Sequence, residues 1–103
     1  MDRIEKLKEF LKETPGDNFL QHALALEWVK LGNNDEAQVL FEEILSRDPS
    51  YVGSYYHLAQ LFERLGKNEE AKEWYEKGME AARKAGDKHA LGELRTAYDD
   101  LTT

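Results

Sequence analysis

An all-α fold built from stacked helix pairs is the class this sequence predicts, and three observations predict it. Residues 18–51 and 52–85 are two copies of one 34-residue unit, identical at Leu24/Leu58, Ala25/Ala59, Leu31/Leu65, Gly32/Gly66, Asn34/Asn68, Glu36/Glu70, Ala37/Ala71 and Glu42/Glu76. A fixed period of this length marks a repeat architecture. Apolar residues recur at three- and four-residue spacing nearly throughout, and no stretch alternates as a strand would. The periodic segments are joined by short turns, which makes successive helices antiparallel neighbours.

Six helices are expected in order. Ile4, Leu7, Phe10 and Leu11 form the apolar stripe of a first helix, which stops around Thr14 because Pro15 disfavours helix in the residue before it. Asp17 or Asn18 caps the second, which runs to Leu31 with Leu20, Ala23, Leu24 and Trp28 inward; Gly32 ends it. Asn33 or Asn34 caps the third, Asn33 and Glu36 having capping-box spacing, and its core face is Ala37, Leu40, Phe41, Ile44 and Leu45. Asp48-Pro49 closes that helix. The cycle then repeats, with a fourth helix from Tyr51 to Leu65 turning Tyr55, Leu58, Ala59 and Phe62 inward. The fifth, Glu69 to Ala85, buries Ala71, Tyr75 and Met79. Arg83 stands where the first copy has Pro49, so this helix runs a turn further, to about Gly86. Asp87 caps the last, Lys88 to about Leu101, with a stripe of Leu91, Leu94, Tyr98 and Leu101.

Composition narrows the function. A chain of 103 residues makes one domain, and no apolar run approaches the ~20 residues of a membrane helix. Met1 to Thr14 is charged throughout, unlike a signal or transit peptide, and a cytoplasmic setting is the default expectation. With no cysteine, disulfides, thiolate metal sites and thiol nucleophiles are excluded. The net charge of −7 argues against nucleic acid and anionic membrane as partners, both of which need clustered Lys and Arg, and suits a basic or largely apolar one. Ser46, Ser50 and Ser54 lack the context of a nucleophile elbow, and no glycine-rich phosphate loop is present. The chain therefore reads as a non-enzyme without a cofactor.

The unit resembles the tetratricopeptide repeat. The positions that family marks are, in the first copy, Gln21, Leu24-Ala25, Trp28, Gly32, Ala37, Phe41, Ile44 and Pro49. In the second they are Tyr55, Leu58-Ala59, Phe62, Gly66, Ala71, Tyr75, Gly78 and Arg83. Gln21, Ile44 and Arg83 depart from the pattern, and Arg83 leaves open the register of the last helix. The resemblance implies an α-solenoid, a right-handed superhelix of antiparallel helix pairs, in a single domain spanning 1–103. Its parts are a leading helix (1–15), two repeats (18–51 and 52–85) and a capping helix (87–103).

It also implies a concave groove lined by the first helix of each unit, where a peptide or helix of a partner protein lies. The groove-facing set on that basis is Phe19, His22, Ala23, Leu26, Val29 and Lys30 from the first unit and Gly53, Tyr56, His57, Gln60, Glu63 and Arg64 from the second, with partner contact expected from Phe19, His22, Leu26, Lys30, Tyr56, His57, Gln60 and Arg64. Phe19, Leu26 and Tyr56 offer apolar contact, while Gln60, Arg64 and the histidines give polar direction. The carboxylate clamp of some family members is not reproduced, since its positions carry His22, Leu26, His57, His89 and Glu93. No metal is expected; the alternative use of His22, His57 and His89 as converging ligands, with Glu93 as a fourth, has spacings that match no compact metal motif. The competing function is a structural or self-associating scaffold, contacting copies through Lys72, Trp74 and the Tyr98/Leu101 face. Polar Arg95, Asp99 and Asp100 on the last helix favour a monomer over a weak dimer.

Overall fold

The computed structural model describes residues 2–103. Six helices account for nearly all of them: α1 (Arg3–Glu13), α2 (Asn18–Lys30), α3 (Asn34–Arg47), α4 (Val52–Arg64), α5 (Asn68–Ala85) and α6 (Lys88–Thr102). They form two compact units, Met1–Arg47 and Asp48–Thr103, each of three helices. The division falls just ahead of the repeat junction, at the Asp48-Pro49-Ser50 turn. Tyr55 Oη donates to the Pro49 carbonyl at 2.7 Å, and the Ser50 amide donates to the Asp48 carboxylate at 3.1 Å.

Local chemistry sets the helix ends. Asp2, Asp17 and Asp87 accept from the amides of Glu5, Leu20 and Ala90 at 2.9, 3.0 and 3.0 Å, each satisfying an orphan donor of a first turn. Asn33 serves α3 differently from the capping box expected of it. Its backbone carbonyl accepts from Ala37 N at 3.2 Å, and among the described residues its side chain makes no capping bond. At the other ends, Gly32 and Gly66 take φ of 77° and 76°, which a Cβ would penalise. Each is followed by a residue whose amide reaches back along the helix, Asn33 to Trp28 O and Lys67 to Phe62 O, both at 2.9 Å. The two repeats thus close their first helices with the same backbone motif.

In the first unit α2 packs on both α1 and α3. Leu7, Leu24, Ala25, Ala37, Phe41, Ile44 and Leu45 are buried. Leu20, Trp28 and Leu40, expected inward, are half-buried. Phe10, also expected in the core, is 58% exposed. By the repeat step Phe10 corresponds to Ile44 and Gly78, both buried, but α1 packs on α2 and its Phe10 face meets solvent. Gln21 is a buried polar residue at a position the repeat reserves for bulk. It is satisfied on both sides, its Nε2 donating to the Pro15 carbonyl at 3.1 Å and its Oε1 accepting from Arg47 Nη2 at 2.6 Å.

In the second unit α5 packs on both α4 and α6, and α4 also touches α6. Tyr55, Leu58, Ala59, Leu61, Phe62, Ala71, Tyr75, Met79, Ala82 and Leu94 are buried. Burial of each large side chain contributes roughly 1.5–3 kcal/mol. Gly78 marks the tightest approach: a Cβ there would stand 2.7 Å from Tyr55 Cβ and 3.1 Å from a Leu94 methyl. Trp74 is half-buried, its ring 6.1 Å from that of Tyr55 and capped by Lys77 Nζ at 4.5 Å. No helix among the described residues is long and apolar enough to cross a membrane.

Candidate functional site

The second unit carries a groove of about 770 Å³ between α4 and α6. Tyr56, Gln60 and Glu63 form one wall, spaced four and three residues apart so that a single helical face carries all three. On α6 the opposite wall begins with Lys88 and His89, continues through Gly92 and Glu93, and ends with Thr96, Ala97 and Asp100. Tyr75, from α5, forms the floor. A smaller cavity of about 230 Å³ adjoins it through Tyr56 and Glu93, and His57 and Leu94 line that one.

Hydrogen bonds and ring contacts order the α4 wall. Gln60 Nε2 donates to Tyr56 Oη at 3.0 Å. The Tyr56 ring meets His57 edge-on at 5.6 Å and Tyr75 at 6.4 Å, the T-shaped geometry that aromatic quadrupoles favour. Tyr75 Oη donates to the Glu63 carboxylate. Burial and then the Glu63 carboxylate push the Tyr75 hydroxyl far above the ordinary tyrosine range, so it remains a donor at any physiological pH. His57 is shifted the other way: burial, then the nearby Arg64 guanidinium, lower it, with Glu93 opposing. His57 is therefore a neutral imidazole at neutral pH. On α6, His89 Nε2 lies 3.1 Å from Glu93 Oε1 in an exposed i,i+4 pair.

The structure distributes the eight residues expected to contact a partner, and of the other groove-facing positions Glu63 lines the larger cavity and Gly53 the smaller. Tyr56 and Gln60 line the larger cavity and His57 the smaller, whereas Arg64 is exposed outside both linings. In the first unit, Phe19 is 72% exposed. His22 and Leu26 are half-buried, His22 with its ring edge-on to Phe41 at 5.5 Å. Lys30 is exposed and pairs with Glu27 of its own helix at 3.0 Å, while Arg3 approaches the same carboxylate at 3.5 Å. Of the three histidines, His57 and His89 line different cavities. Among the described residues no three His, Asp or Glu side chains are grouped to hold a metal ion. Sequence reasoning missed most of the α6 wall, Lys88, Gly92, Thr96, Ala97 and Asp100, and the place of buried Tyr75 beneath the groove.

Comparison with known proteins identifies the fold. The tetratricopeptide repeat profile matches residues 29–97. A tetratricopeptide repeat domain protein from Salinibacter ruber, solved in solution, is 44% identical, with a TM-score of 0.81 over 84% of this chain and 88% of that one. Its crystal structure gives 43% identity and a TM-score of 0.80 over 84% and 96%. The TPR2B domain of yeast Sti1, in its complex with pHsp70, is 18% identical with a TM-score of 0.89, covering 96% of this chain and 79% of that one. No curated protein matches the chain. The repeat period, the paired helices and these likenesses together assign an all-α helical-solenoid fold, and the chain belongs to the tetratricopeptide repeat family.

Proposed function

We propose that this protein is a non-catalytic interaction module, and that the α4/α6 groove of its second unit takes a segment of a partner protein. The groove itself carries the reading: about 770 Å³ of open space walled by an ordered tyrosine and a series of polar side chains. A concave site whose polar groups are held in place by hydrogen bonds is suited to recognising a partner segment. The yeast Sti1 domain, similar in fold, is seen in a complex with pHsp70, which supports a binding role for this fold. His57, kept neutral, offers hydrogen bonds in place of charge. The first-unit residues Phe19, His22, Leu26 and Lys30 belong to the same proposal as additional contacts, as does a monomeric, cytoplasmic protein of a single domain.

The test is capture from the lysate of the source organism by the native protein and by a Tyr56→Ala/Gln60→Ala variant, matched for thermal stability. A protein retained by the first and lost by the second supports the groove. Equal capture by both moves the contact elsewhere, and the groove reading then fails.

A further inference from the structure

Three carboxylates line the groove of the second unit, Glu63 on α4 and Glu93 and Asp100 on α6, against Lys88 at the start of α6 and His89, which lies 3.1 Å from Glu93. Arg64 is the next residue after Glu63 but is not part of the lining. Glu93 and Asp100 are separated by about two helical turns, roughly 10 Å along the axis, so negative charge runs along the wall. Glu63 is fixed in direction by the Tyr75 hydroxyl, which donates to one of its oxygens. Asp100 forms no ion pair among the described residues, and the chain's net charge of −7 adds to the same field.

Gly92 supplies the shape. A Cβ built there would meet nothing within 4 Å, so no neighbour in the chain demands its absence. The missing side chain opens the α6 wall by one residue's width, across the groove from the Tyr56 wall. The Thr96 hydroxyl donates back to the Gly92 carbonyl at 2.9 Å and makes no claim on that space. An open notch between a tyrosine ring and carboxylates fits a side chain with a slender methylene stem and a cationic head, which describes lysine and arginine.

Resting on the reading that this groove takes a partner segment, we propose that the occupant is a basic segment of a protein. Its Lys or Arg side chains cross Gly92 and reach Glu63, Glu93 and Asp100. The experiment is selection from a phage-displayed library of random dodecamer peptides, with titration of the enriched sequence as a synthetic peptide. The expected result is a consensus rich in Lys and Arg. Its binding weakens at least about tenfold in a Glu63→Gln/Asp100→Asn variant and falls steeply as salt is raised to about 0.5 M. Gln at position 63 can still accept from Tyr75, so the variant keeps its fold. A neutral or acidic consensus that depends on Tyr56 overturns the charge assignment and leaves the groove reading standing. Enrichment indifferent to Tyr56→Ala, or no enrichment, overturns both.

Discussion

Gln21 and Tyr55 stand one repeat apart and make the same contact, each donating a side-chain hydrogen bond to the carbonyl of the proline six residues before it, Pro15 and Pro49. An amide and a phenol thus serve one structural purpose, tying the turn before a helix to that helix's first turns. Because Gln21 also receives Arg47 Nη2 at 2.6 Å, the first copy holds its turn and the end of α3 through one side chain. Tyr55→Phe removes only the hydroxyl and costs about 0.5–1.5 kcal/mol, a fall in melting temperature of several degrees. Gln21→Leu costs at least as much, since it removes the bonds to both the Pro15 carbonyl and Arg47, although Arg47 keeps its bond to Asn18 Oδ1 at 2.7 Å. Thermal melts of the two variants check this, and an unchanged Tyr55→Phe melt overturns it.

Two glycines predict opposite outcomes for one substitution. Gly78→Ala forces a methyl to 2.7 Å from Tyr55 Cβ, part of a buried tyrosine that cannot retreat. It destabilises by about 1–2 kcal/mol after the gain in helix propensity is counted. Gly92→Ala meets nothing and stabilises by up to about 1 kcal/mol, yet weakens the basic peptide because it fills the notch. Urea denaturation ranks the stabilities, and a peptide titration shows whether Gly92→Ala gains stability while losing affinity.

His57 makes stability sensitive to acid. Its native pKa lies below the ordinary 6.5, chiefly through burial, so the unfolded chain binds the proton more readily. The stabilisation is present in full above about pH 6.5 and is lost as pH falls toward and through the native value. Urea midpoints at neutral and mildly acidic pH measure the loss. His57→Gln is expected to make that loss smaller, and an identical loss in the variant counts against the assignment.

At the alkaline end Tyr75 acts with the opposite sign. Its native pKa is raised above the ordinary 10, so the unfolded chain releases the proton first and stability falls as pH rises past about 10. Tyr55, also raised by burial and by Asp48, adds to the same limb. Tyr75→Phe is expected to shallow that decline while lowering stability at neutral pH by about 1–3 kcal/mol through loss of the Glu63 bond. Circular dichroism melts across the alkaline range read both effects.

Helix positions and ends were legible because periodicity and end chemistry agree. Gly32, Gly66 and Gly86 each terminate a helix with positive φ, and α5 runs to Ala85 as the lack of proline at Arg83 implies. Phe10 was misplaced for a definite reason: spacing shows which residues share a face, not whether another helix covers it. The signal lay at Arg3, which occupies the step of Ala37 and Ala71. Those alanines are fully buried where helices pair closely, whereas Arg3 is exposed and reaches across to Glu27. The α4 half of the groove was readable from family geometry, because the repeat register continues unbroken from α2. The α6 half was not, since Arg83 in place of proline leaves the offset of the last helix undetermined by sequence. Tyr75 shows a second limit, as a buried ring at a core position gives no sign in sequence that it lies beneath a groove and bonds Glu63 on its wall.

The Tyr75–Glu63 bond links two properties usually thought of as separate. The aim of a surface carboxylate is held by an atom whose own place depends on the interior of the second unit. On the proposed binding role, a substitution deep beneath the groove, one that tilts the Tyr75 ring without touching any exposed residue, would therefore retune which partner segments are accepted. Conversely, a ligand gripping Glu63 would brace the interior against unfolding. Under that proposal, tighter recognition and a firmer core would depend on the same few atoms.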